Sequence, residues 1–180
     1  MVNKKAVGFS MVAYVGSIVL ANYFIVHGFP GTTATPFGTY TVPVGFGLVA
    51  PAGVYMSAVA FPARDVLQRT GGRYLGVVAI LLGALLSWWL SSPIIAMASG
   101  VTFLCSETLD FAIYTPLQRD RFVLAVVVSG LAAALLDSWL FLYLAGLPMS
   151  QFWGLALGKV WVIALAGPAA FLLRKTIPNR

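Results

Sequence analysis

The sequence predicts an all-α integral membrane protein of six transmembrane helices, and three observations carry that reading. Only 9% of the 180 residues are charged while 60% are hydrophobic, with a mean hydropathy of +0.93. A soluble domain carries about 25% charged residues, so this chain cannot build a water-facing surface around a core. The apolar residues also gather into runs of about 20, the length that crosses a bilayer. Finally, the breaks between runs alternate between those rich in Lys and Arg and those with neither.

Taken in order, the spans lie near 7–27, 44–66, 74–91, 93–114, 122–144 and 151–173, within a single domain covering 1–180. Span one follows Asn3-Lys4-Lys5, which resembles the start of a signal peptide. It has no small-residue cleavage pattern at its end, so it reads as a retained span. "HGFPGTTATPFGTY" then forms the one long connection, and span two closes at Arg64 and Asp65, where a surface ion pair is expected. "RTGGR" separates spans two and three, "SSP" three and four, "TPLQRDR" four and five, and "AGLPMSQ" five and six. Lys4 and Lys5 precede span one, Arg64, Arg69 and Arg73 surround the second break, and Arg119 and Arg121 lie in the fourth. The first, third and fifth breaks carry no cation. By the positive-inside rule both termini and the even breaks face the cytoplasm of a cell membrane.

Composition also excludes several functions. The net charge of +6 comes from cations clustered between apolar runs, which is not a nucleic-acid footprint. The single Cys, Cys105, rules out an internal disulfide and a multi-Cys metal site, and no cofactor is expected. The single His, His27, leaves no HExxH or Ser-His arrangement, so no enzyme signature is present. Ala13, Ser17 and Ala21 form a small-residue stripe on span one that admits a close neighbour. That neighbour is either another helix of this chain or a partner: a second copy or an energising module.

Four charged residues fall well inside spans: Glu107, Asp110, Asp137 and Lys159. Each costs about 2.5–3.5 kcal/mol to insert, so such residues face the bundle interior and mark functional sites. Asp137 precedes the turn at Leu147-Pro148 by about ten residues and Lys159 follows it by about eleven. At 1.5 Å rise per residue both lie roughly 15 Å deep. They form either a pair that locks the hairpin or part of a ligand site. Glu107 and Asp110, three apart, share one helix face with Phe103 and Tyr114. Two acids so close need a cation, a proton or a donor-rich ligand between them. Trp139, beside Asp137, either stacks on a planar ligand or packs against neighbouring helices or lipid.

"FPARDVLQRTGGR" (61–73), "SETLDFAIYTPLQR" (106–119), "LDSWLFLYLAG" (136–146) and "ALGKVWVIALAGP" (156–168) together resemble the queuosine precursor transporter family, also called the vitamin uptake transporter (VUT) family. "LANYFIVHG" (20–28) fits that family's first span. The resemblance implies a six-helix fold similar to the substrate-binding subunits of energy-coupling-factor vitamin transporters. It also implies a deazaguanine base as the cargo. Carried over by position, the family's polar intramembrane residues fall on Asp65, Glu107, Asp110, Asp137 and Lys159. Span six departs from the family, reading Ala166-Gly167-Pro168 in place of Thr-Pro. The expected substrate-binding set is Glu107, Asp110, Asp137, Lys159 and Trp139. The near alternative is another vitamin or nucleobase, and the alternative of another class is a non-transporting membrane assembly or binding protein.

Overall fold

Span one folds as α1 (Lys4–His27), and the chain then departs from the apolar pattern. In a computed structural model, which describes residues 4–36, 38–91 and 96–173, three antiparallel strands follow. They are β1 (Thr33–Ala34), β2 (Tyr40–Gly45) and β3 (Leu48–Pro51), in the order β1-β2-β3. Span two, expected from residue 44, is therefore corrected. Its first eight residues lie in the β2–β3 hairpin, and the helix α2 runs over Val54–Gly71. The cause is visible in "TVPVGFGLVA". Its Val residues suit a pleated strand, and Phe46 and Gly47 take φ of 53° and 73°, the two-residue turn whose twist matches a hairpin.

The remaining helices are α3 (Arg73–Leu90), α4 (Ala96–Leu117), α5 (Phe122–Leu144) and α6 (Phe152–Leu173), the last entered through a single 3-10 turn at Met149–Gln151. Residues 93–95, the expected start of span four, lie outside the described residues. Six helices alternate in direction, so the strands, residue 91 and the turn before α6 share one end of the bundle, called here the sheet end. Gly72 and the α4–α5 turn lie at the opposite end.

Two features make this a multi-pass membrane protein. The outer surface is apolar, with Trp89, Leu165 and Leu172 exposed by 81%, 74% and 76%. Four helices are also long and apolar enough to cross a bilayer on their own: α1, α3, α5 and the stretch Met149–Leu172 containing α6. The other two, α2 and α4, carry the buried acids and arginines instead.

Of all the helices, α2 is the central one, packing against each of the other five. Gly53, just before it, is pressed against the Ala21 carbonyl, and Ser17 and Ala21 of the α1 stripe are buried. The neighbour that the stripe admits is thus α2 of the same chain, not a partner. The hairpin packs through Val42, Val44 and Ala50 onto Val54, Leu142 and Leu155. It is also fastened to α6, since the Trp161 indole donates to the Val44 carbonyl at 2.9 Å and Gly154 lies directly under the Val49 carbonyl.

Candidate functional site

The polar side chains of the interior form two layers. The one nearer the sheet end belongs to a cavity of about 80 Å³ bounded by α1, the end of β3 and all five other helices. Its polar lining includes Asn22, Ser57, Ser87, Ser99, Thr102, Asp137 and Lys159, with Phe103 and Phe141 as aromatic walls. Lys159 donates to one Asp137 carboxylate oxygen, and Ser106 donates to the other at 3.2 Å. The Asp137 side chain keeps 17% of its surface exposed, while Lys159 is buried. Both residues lie seven positions from the sheet end of their helices, so the depth matching read from the sequence does bring them together. At 1.5 Å per residue that depth is about 10 Å.

Thr102 is the informative residue of the wall. It is 2% exposed, and its hydroxyl has no hydrogen-bond partner although it borders the cavity. A threonine inside a helix ordinarily returns its hydroxyl to the preceding turn, as Thr70 does to Val66. Thr102 leaves a donor and an acceptor free at the wall of a site that also contains a charged pair.

The second layer lies roughly a turn deeper, around Arg64. Each of its guanidinium nitrogens makes a hydrogen bond: Nε donates to Glu107 at 3.0 Å, a terminal nitrogen to Gln68 at 2.7 Å, and the other to Asp110. The Asp65 carboxylate lies 3.1 Å from that last nitrogen, and all four charged side chains are fully buried. The rings of Phe111 and Tyr114 flank the guanidinium at 5.8 and 5.5 Å, and the Tyr114 hydroxyl donates to the Asp65 carbonyl at 3.0 Å. The sequence reading of Arg64 and Asp65 as a surface ion pair is therefore corrected. Starting α2 at residue 54 puts Arg64 ten residues from the helix start, about 15 Å along the axis. Glu107 stands eleven residues into α4, at matching depth.

The expected binding set is thus divided by the fold. Asp137 and Lys159 border the cavity. Glu107 and Asp110 share a face as their spacing requires, but that face meets Arg64 and not the cavity. Trp139 stacks on Tyr143 with centroids 5.6 Å apart and is 47% exposed on the outer surface. The residues that sequence reasoning missed are Arg64 and Thr102. The signal for Arg64 was the strand-like "TVPVGFGLVA", which, read as a hairpin, moves the helix ten residues along and places "ARD" in its middle.

A polar seam joins the layers and runs on towards the opposite end. It passes from Lys159 and Asp137 through Ser106 to the chain neighbour Glu107, then to Arg64, Gln68 and Thr115. Gln68 donates to Thr115 at 3.0 Å, and one turn further Arg69 donates to the Gln118 carbonyl at 2.6 Å while stacking over Phe122.

The family described as "Putative vitamin uptake transporter" matches residues 41–172. That match spans β2 through α6 and so includes both polar layers. No curated protein and no solved structure matches the chain.

Proposed function

The chain belongs to the vitamin uptake transporter family, and from that premise we propose that it carries a deazaguanine-type base, a queuosine precursor, across the cell membrane. The observation that supports this most is the cavity, where a carboxylate, an ammonium and an unpartnered hydroxyl border one space between two aromatic walls. A guanine-like ring offers adjacent ring and amino N–H donors. Such a pair fits the two oxygens of Asp137, a charge-assisted arrangement that is strong away from water. Lys159, displaced from Asp137, then donates to the ring carbonyl, Thr102 takes a further ring atom, and Phe103 and Phe141 hold the faces. The cavity is smaller than the ~300–1,000 Å³ of ordinary small-molecule sites, so we take this as the shut state. Loading requires the hairpin and α6 to part.

The same reading places the termini and the even turns in the cytoplasm and the sheet end outside, following the cation alternation. Energy coupling by a separate module or a second copy would then use an outer face other than the α1 stripe.

The test is uptake of labelled deazaguanine base, and growth rescue, in a queuosine-requiring host without its own importer. At equal membrane levels Asp137→Asn and Thr102→Val should each weaken apparent affinity. One charge-assisted hydrogen bond is worth about 1.5–3 kcal/mol, so Asp137→Asn should cost roughly ten- to hundredfold. Wild-type uptake equal to that of an empty host would end the proposal.

A further inference from the structure

The Arg64 layer contains more negative charge than its structure can hold. One guanidinium faces three carboxyl groups, Asp65, Glu107 and Asp110, and every one of these side chains is fully buried. Each Arg64 nitrogen already serves one of these acids or Gln68, and a single positive charge cannot balance three negative ones. Both Asp65 oxygens, Glu107 Oε1 and Asp110 Oδ1 make no hydrogen bond, Asp65 meeting Arg64 only as an ion pair at 3.1 Å. Ser129 of α5, itself wholly buried, stands beside Asp110 as a neutral donor, which supplies no charge.

The surrounding groups do not supply the missing charge. From α1 the buried Tyr14 stands near Glu107 but its hydroxyl donates to the Ala79 carbonyl. Tyr114 of α4 is committed to the Asp65 carbonyl. Arg69, one turn along α2, is directed to Gln118 and Phe122. Asp137 of α5, beyond Ser106, adds negative charge, and Lys159 of α6 is held by Asp137. A metal cation is not the solution either. Among the described residues no three acidic, His or Cys side chains converge as a metal site needs, and the guanidinium occupies the centre of these three.

An ionised carboxylate only accepts hydrogen bonds, whereas a protonated one also donates. A proton on one of these acids removes a charge and gives a neighbouring oxygen the partner it lacks. We propose that the Arg64 layer is a proton site, holding at least one exchangeable proton shared among Asp65, Glu107 and Asp110, and that this proton is the ion co-transported with the base. The coupling half rests on the uptake reading above; the charge state of the layer does not.

Geometry links the two events. Asp137 binds at the cavity and accepts from Ser106, whose chain neighbour is Glu107. A ligand that changes the charge balance at Asp137 therefore changes the field at Glu107. Sites linked in this way shift one another's affinity by the same factor. The seam beyond Arg64, through Gln68 to Thr115, gives the proton a polar route towards the opposite end. One proton enters from the sheet side with each base and leaves on the other side, and no bond within the base is made or broken.

Two measurements test this. The first needs no substrate: infrared spectra of the purified protein across pH. They should show the carbonyl stretch of a protonated carboxylic acid at neutral pH, diminished in Glu107→Gln or Asp65→Asn. Wild type without that band overturns the proposal, whatever the variants do. The second uses proteoliposomes and labelled deazaguanine base. An inward step of one pH unit should raise accumulation up to about tenfold for one proton per base, and Glu107→Gln should lose that response. Uptake indifferent to the step overturns the coupling. No uptake under any condition, with the band present, sinks the cargo reading and the coupling with it while the protonated layer stands.

Discussion

Arg64 is worth following as a single side chain, because three acids depend on it. Removing one partner of a buried ion pair commonly costs about 3–5 kcal/mol, since the remaining charge has nowhere to go. Arg64→Met keeps much of the stem and removes the charge, so it should lower the melting temperature in detergent and the amount reaching the membrane. Adding Asp65→Asn, Glu107→Gln and Asp110→Asn to that variant should recover most of the loss. If the combined variant is no more stable than Arg64→Met, the guanidinium acts through its hydrogen bonds to Gln68 and the helices and not through charge. Lys159 differs, having a single acid and a place at the cavity edge.

Among the elements, the β2–β3 hairpin closes the cavity end of the bundle and rests on α6 through backbone contacts at Val44 and Val49. Gly154 allows it to rest on α6, since a Cβ there would strike the Val49 carbonyl. Gly154→Ala should lift the hairpin off α6 and open the cavity. A cysteine placed at Ser99, in a chain with Cys105→Ala, should then be labelled severalfold faster by a water-soluble thiol reagent. Unchanged labelling would mean that the hairpin is not the barrier. This element was also the one that hydropathy could not read. Apolar residues at 42–50 suit a buried strand as well as a helix, and placing them in a helix put Arg64 at its edge. The Asp137–Lys159 pair was legible for the opposite reason. Both neighbouring helices have ends set by the turn at Leu147-Pro148, so counting from it gives the two residues matching depth. The helices end short of the turn, however, and the depth is about 10 Å in place of about 15 Å. Whether Glu107 and Asp110 meet a ligand or a cation was not legible, because their shared face says only that they point together. Trp139 could not be placed from its neighbour either, as residues two apart on a helix face different ways.

For the whole molecule the first matter is orientation. Reporters fused at Arg180 and within the Gly28–Thr41 connection should report opposite sides of the membrane, with Arg180 cytoplasmic; agreement between the two would contradict an even number of crossings. Synthesis adds a second matter, which follows from how α2 and α4 share the Arg64 layer. The ribosome completes α2 while its arginine and aspartate have no counterpart, and Arg64 is 46 residues ahead of Asp110 in the chain. At about 5–20 residues per second, α4 arrives roughly 2–9 s later. For that interval α2 is a poor guest for lipid, while α1 and α3 on either side of it enter readily. Insertion is therefore expected to depart from the order of translation, with α2 held at the translocon or the membrane surface until α4 can enter with it.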